Sequence, residues 1–321
     1  MSDELKILDN IPDPIAAPRE GVDGLAVDAS AVEAFDVNVF MARLEAMPGR
    51  ERIKYASVAL SSNLVDCAFL RYFKNVVGIT LAGKHLVSLA GVRSAPRLSN
   101  LSLRSGKTNR IDLTELAGSS VGTLRIERPR PVDVETVGRC THIRDLNLSH
   151  QTIDFRLLAS MQLRELALSH ARNEEIASLD TIERIEKLNL SHCAALRRFT
   201  GPSTKVKTLS IDACNSLEFE SLTMTTGLKG LRVAMCKQPF DVAVLASLPE
   251  LEHVTFANSK LVLDGIEGMR MPKLRKLWVS PAKDDVVRRI SRAFPAAMVC
   301  NGRVLEIGGV RQTGIQRFYE G

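Results

Sequence analysis

Ile143-Arg-Asp-Leu-Asn-Leu148, Leu163-Arg-Glu-Leu-Ala-Leu168 and Ile185-Glu-Lys-Leu-Asn-Leu190 repeat one hexapeptide, aliphatic at its first, fourth and sixth positions. Upstream stands Leu98-Ser-Asn-Leu-Ser-Leu103. Downstream follow Val206-Lys-Thr-Leu-Ser-Ile211, Leu228-Lys-Gly-Leu-Arg-Val233, Leu251-Glu-His-Val-Thr-Phe256 and Leu274-Arg-Lys-Leu-Trp-Val279. Weaker members begin at Ile53, Val76 and Val121. The starts at 53, 76, 98, 121, 143, 163, 185, 206, 228, 251 and 274 are 20 to 23 residues apart. A single hexapeptide decides nothing; eleven in phase decide the architecture.

The physics of the repeat is direct. Each coil contributes a short strand whose alternate residues face opposite ways, so Leu146 and Leu148 point inward and Asn147 outward. The chain then returns along the other side with a second apolar cluster, such as Ile153, Phe155 and Leu158. No coil buries its own faces, so stability comes from stacking on neighbours.

The series resembles the leucine-rich-repeat family, whose signature is L-x-x-L-x-L-x-x-N/C-x-L. The resemblance runs over residues 53–282 and, at this repeat length, points to a bacterial-type member. It implies an α/β solenoid: a leucine-rich-repeat horseshoe with a parallel concave β-sheet, about 11 coils, capped at both ends. At the ninth position, where the family places Asn or Cys to satisfy backbone groups of the turn, stand Gln151, Cys193, Cys214, Cys236 and Ser259, but also Ala171 and Ala282.

The flanks read as caps. Val37, Phe40, Met41, Leu44 and Met47 have helical spacing, so 37–52 is expected to be an N-terminal helical cap. Residues 1–36, with three prolines and little periodicity, are expected to be an acidic mobile segment. After residue 282, Val286, Val287, Ile290 and Phe294 predict a helix stopped at Pro295. Met298–Cys300 and 304–307 predict a hairpin, so 283–321 forms the C-terminal cap.

Composition bounds the function. Hydrophobic content of 45% with 25% charge is that of a soluble globular protein, and no run reaches the ~20 apolar residues of a membrane span. With no signal-like start, the expected location is the cytoplasm, the alternative being secretion without a cleavable signal. Cys193, Cys214 and Cys236 lie about one repeat apart and the other three cysteines are scattered; all six are expected to be reduced, buried thiols. Residues 1–50 carry ten acidic and four basic side chains; with the whole chain at +6, the remainder carries +12.

No catalytic constellation stands out. Gly-x-Ser-x-Gly, a phosphate loop, His-Glu-x-x-His and Cys-x-x-Cys are all missing. His150, His170 and His192 share the eighth repeat position and should form a column. Such a column suits partner contact better than a metal, because anchors ~4.8 Å apart in a straight row do not converge on one ion. The preceding Ser149, Ser169 and Ser191 should face away from their histidines. Some bacterial relatives fuse the repeats to a ubiquitin-ligase domain, but the residues after Ala282 are too few for one. The expectation is therefore a non-enzyme without cofactor or metal.

The concave face then carries the function. Its candidate partner-binding residues are Arg104, Arg125, Asp145, Asn147, His150, Glu165, His170, Lys187, Asn189, His192, Arg232, His253, Lys276 and Trp278. Trp278, the only tryptophan, either stands outward or packs beneath the C-terminal cap. The expected partner is a protein; no membrane and no small-molecule substrate is implied. Nucleic acid is disfavoured because acids interleave the bases and stacking aromatics are scarce. The expected role is a non-catalytic protein-recognition module, in its sharpest form an intracellular inhibitor or immunity protein. The alternatives are a secreted effector or an adaptor or scaffold.

Overall fold

The computed structural model describes residues 7–8, 24–29, 37–60, 66–83, 86–104, 111–127, 134–301 and 304–312. They fall into two compact units, Met1–Leu163 and Arg164–Gly321.

The first unit is a parallel sheet ordered β1 (Ile7–Leu8), β2 (Gly24–Ala29), β3 (Tyr55–Leu60), β4 (Gly78–Gly83), β5 (Asn100–Arg104), β6 (Thr123–Glu127) and β7 (Asp145–Ser149). Its return arms are mostly single 3₁₀ turns, such as Ala68–Tyr72 and Phe155–Leu158, with helices α1 (Val37–Ala46) and α2 (Val134–Gly138) among them. Helix α1 lies where its spacing predicts. It is the return arm between β2 and β3, however, and not an end cap. Segment 1–36, expected to be mobile, supplies β1 and β2; the rest of it lies outside the described residues.

The second unit repeats the design. Strands β8 (Glu165–Ser169), β10 (Lys187–Ser191), β12 (Thr208–Asp212), β13 (Gly230–Ala234), β15 (His253–Ala257), β17 (Lys276–Ser280) and β18 (Met298–Cys300) pair in parallel. On the return side β9 (Glu175–Ile176) pairs with β11 (Arg198–Phe199), and β14 (Phe240–Asp241) with β16 (Leu261–Val262). Helix α3 (Asp284–Ala293) leads into β18. Strand β19 (Leu305–Ile307) pairs antiparallel with β18, so this helix and hairpin lie where they are predicted; β20 (Val310–Gln312), which the spacing does not predict, pairs antiparallel with β19.

The core is the aliphatic ladder of the repeat. Leu146, Leu148, Leu166, Leu168, Leu188 and Leu190 are all buried, as are Ile153, Phe155 and Leu158 on the return side. Rings contribute locally: Phe240 packs 4.8 Å from both Phe219 and Phe256. Strands β10, β12, β13, β15 and β17 are entered the same way. The Arg164 carbonyl accepts from the amides of Glu186 and Lys187, and the Glu186 carbonyl accepts from those of Lys207 and Thr208. One acceptor thereby sets the register of each incoming strand.

Burial also governs the thiols. All six cysteines are buried and none is in a disulfide. Burial, with Asp66 adding to it, pushes the Cys67 thiol up to about 12, and burial alone takes Cys140 up to about 11. In the unfolded chain such thiols ionise near 9. Their contribution to stability is therefore full below about pH 9. It is lost as pH rises toward the folded values, at up to about 1.4 kcal/mol per pH unit for each thiol. Urea midpoints under reductant should fall between about pH 8 and about pH 10. The fall should be shallower in the Cys67→Ala/Cys140→Ala double variant, and an equal slope in both proteins contradicts the assignment.

Candidate functional site

The outward row of each sheet follows the alternation of the repeat. In the first unit Ser57, Thr80, Ser102, Arg125 and Asn147 stand in register. In the second the row is Ala167, Asn189, Ser210, Arg232, Thr255 and Trp278. Arg125 and Arg232 are exposed and Asn147 and Asn189 half-buried, while the residues on either side of each are buried. Trp278 is half-buried, between Thr255 and Cys300 in register. His253 is exposed and Lys276 half-buried.

Charges on these faces are paired from one coil to the next. Arg104 meets Glu127 at 3.0 Å, and Arg125 approaches the same carboxylate at 3.8 Å. The Thr123 hydroxyl donates to Asp145 at 3.1 Å. In the second unit Glu165 accepts from Asn189 at 2.7 Å and lies 3.9 Å from Lys187. Beside the face, Arg164–Glu186, Lys229–Glu252 and Lys273–Glu250 repeat the arrangement. These exposed pairs contribute little stability each, ~0–1 kcal/mol. Their effect is to fix side-chain positions.

The histidines depart from the sequence reading. His150, His170 and His192 have φ of 60°, 52° and 54°, in the left-handed region, so the strand has ended before them and alternation no longer applies. The Ser169 and Ser191 hydroxyls, expected to face away, lie 2.9 and 2.8 Å from Nδ1 of the following histidine. The imidazoles of His170 and His192 stack with centroids 5.0 Å apart and planes 10° apart. The same left-handed turn recurs at Ala213, Met235 and Asn258. There the backbone amide donates to the next coil, His192 to the Asp212 carbonyl at 2.8 Å and Met235 to that of Ala257 at 2.8 Å. The eighth position is thus a backbone joint, and its side chains form a rim beside the sheet. Among the described residues no group of three or more histidines, cysteines or acids is gathered as a metal site requires.

A depression of about 420 Å³ opens on the face of the first unit, where Tyr55, Gly78, Asn100, Ser102, Thr123 and Arg125 meet. No protein-family model matches the sequence, and no curated protein matches it. Solved structures do. An internalin (inlF) from Listeria monocytogenes str. 4b F2365 superposes with a TM-score of 0.53 at 16% identity, over 86% of this chain and 77% of that one. TLR13, from the TLR13–ssRNA13 complex, superposes with a TM-score of 0.59 at 12% identity, over 87% of this chain and 51% of that one. A chain of the LRIM1/APL1C complex does so at 0.51 and 15%, over 81% and 49%. The chain has the leucine-rich-repeat fold. It spans about half the length of the last two structures.

The ninth position of this leucine-rich-repeat chain works as the family resemblance implies. Cys214 and Cys236 each donate to the carbonyl two residues back, at 3.4 Å, and Ser259 does so at 3.2 Å. Cys193 reaches the carbonyls of Ser191 and Leu168, both at 3.5 Å, and Gln151 Nε2 reaches that of Ser149 at 2.9 Å. A hydrogen bond with Cys193, then burial, holds the Cys214 thiol above its ordinary range. Where the position is Ala282, Asn301 of the next coil donates to the Ala282 carbonyl at 2.9 Å. What the sequence reading missed is the depression. Tyr55 and Gly78 are the third positions of two of the weaker repeats and open strands β3 and β4, and only their pairing in register exposes the hollow.

Proposed function

We propose that this protein recognises another protein through the outward sheet faces of its units and performs no chemistry of its own. The observation that carries the reading is the face itself. It is a row of polar side chains at fixed register, held in place by coil-to-coil ion pairs, with an exposed arginine and a half-buried tryptophan of the kind that dominate binding energy. Fold likeness adds support of a general kind, since one structural neighbour is itself part of a protein complex, LRIM1/APL1C. In the sharper form of the proposal the protein is a cytoplasmic inhibitor or immunity protein. The other forms are a secreted effector and an adaptor or scaffold.

Nucleic acid is the rival, because TLR13 was solved with ssRNA13. Against it, Arg104, Lys187 and Lys229 are each matched by a carboxylate one coil away, which interrupts the continuous basic stripe that a phosphate backbone wants.

The test is affinity capture from the native host with wild type and with Arg232→Glu, followed by titration of the captured partner. Arg232→Glu should weaken binding at least about tenfold, roughly 1.4 kcal/mol, while Lys237→Glu, outside the sheet, leaves it unchanged. Equal loss in both variants, or capture of RNA that is abolished by raised salt, overturns the reading.

A further inference from the structure

The depression on the first unit has chemistry of its own. Its floor is Gly78, and the Tyr55 ring lies so close above it that a Cβ there would stand 2.9 Å from Tyr55 Cδ1. Tyr55 is 56% exposed, which is unusual for a large aromatic side chain in this chain, and its ring forms one wall. The strand backbones around Ile79 and Leu101 widen the apolar surface. Opposite the ring stands Arg125, the only charged residue of the lining among the described residues. Its nearest carboxylate, Glu127, is the one that Arg104 holds more closely, at 3.0 Å against 3.8 Å. Asp145, one strand further, lies outside the lining and is engaged by the Thr123 hydroxyl. Between ring and guanidinium, the Ser102 hydroxyl is buried and makes no hydrogen bond to the protein among the described residues.

An aromatic wall, a polar hydroxyl without a partner and one guanidinium at the rim define a complementary shape: an apolar body with a carboxylate at its edge. We infer that this depression receives an apolar residue of the partner protein that carries an adjacent carboxylate, of which a chain-terminal phenylalanine or leucine is the simplest form. The apolar side chain packs on Tyr55 over Gly78, and the carboxylate pairs with Arg125. The inference rests on the protein-recognition reading and gives it an anchor point.

N-acetylphenylalanine and its uncharged primary amide are suitable probes, titrated into the full-length protein by ligand-observed NMR. The acid should bind in the millimolar range and roughly three- to tenfold more tightly than the amide. Arg125→Gln should erase that preference without altering the melting temperature, because Arg125 is half exposed. Tyr55→Ala should weaken acid and amide alike, which separates the apolar contribution from the charged one. Equal binding of acid and amide, a preference that survives Arg125→Gln, or no binding of either probe overturns the inference. So does a captured partner that Arg125→Gln holds as tightly as wild type does, and that result leaves protein recognition by the sheet faces standing. Failure of Arg232→Glu to weaken partner binding overturns the recognition reading for the face of the second unit, and Arg125→Gln then decides for the first.

Discussion

Adding one methyl group at Gly227 should destabilise the protein by roughly 3 kcal/mol or more, at the upper end of what overpacking costs. A Cβ built there falls 1.7 Å from the Thr204 carbonyl oxygen and 2.8 Å from its carbon. Those are backbone atoms of the preceding coil, so no rotamer change relieves the collision and the two coils must separate. Lys207 Nζ, at 3.2 Å, closes another side of the space. Gly268→Ala is the matched control: nothing lies within 4 Å of its Cβ, and its φ is not left-handed. That substitution should be neutral, or stabilising by about 0.4–1 kcal/mol through the unfolded chain. Urea denaturation of both variants decides the matter. Similar midpoints for Gly227→Ala and wild type contradict the close approach of the coils.

Leu188→Ala should cost about 2–5 kcal/mol, the range for deleting a fully buried leucine. Leu188 is inaccessible and stands in register between Leu166 and Leu209, so the cavity is walled by the coils on both sides. Because each coil touches only its neighbours, the loss should be local in the first instance. Hydrogen exchange should accelerate most in β8, β10 and β12 and least in β17 and β18. Uniform acceleration across the second unit would mean that its coils unfold as one block.

Much of this architecture was legible beforehand because it rests on a single period. The strand ladders within each unit, their register and the inward leucines all follow from the spacing of Leu146, Leu188 and their equivalents. Strand β2 was not legible. Its coil also carries the ten-residue helix α1, which places Gly24 and Tyr55 31 residues apart, well outside the repeat. The histidine geometry was hidden for a different reason. Alternation along a strand says nothing once the backbone turns left-handed, and the enrichment of His and Asn in that conformation, seen at His150, His170, His192 and Asn258, is too weak a mark to fix where the turn begins. The outward residues Arg104, Arg125, Asn189 and Arg232 could be placed from the pattern. Which charges would neutralise one another could not, because Arg104 and Glu127 meet only when two coils are stacked.

The doubly accepting carbonyl at the mouth of each strand has a consequence for how such a chain can change in length. Glu186, Lys207 and Lys229 each offer the following turn an acceptor of the same kind as the one their own amides use on the turn before. A whole unit cut out or copied in frame therefore leaves matching ends, whereas a fraction of a unit leaves amides facing no acceptor. The recurrence of Leu-Ser-His at 148–150, 168–170 and 190–192 is what copying of whole coils under that constraint would leave behind. Growth and shrinkage by complete modules is built into the way the backbone bonds to itself.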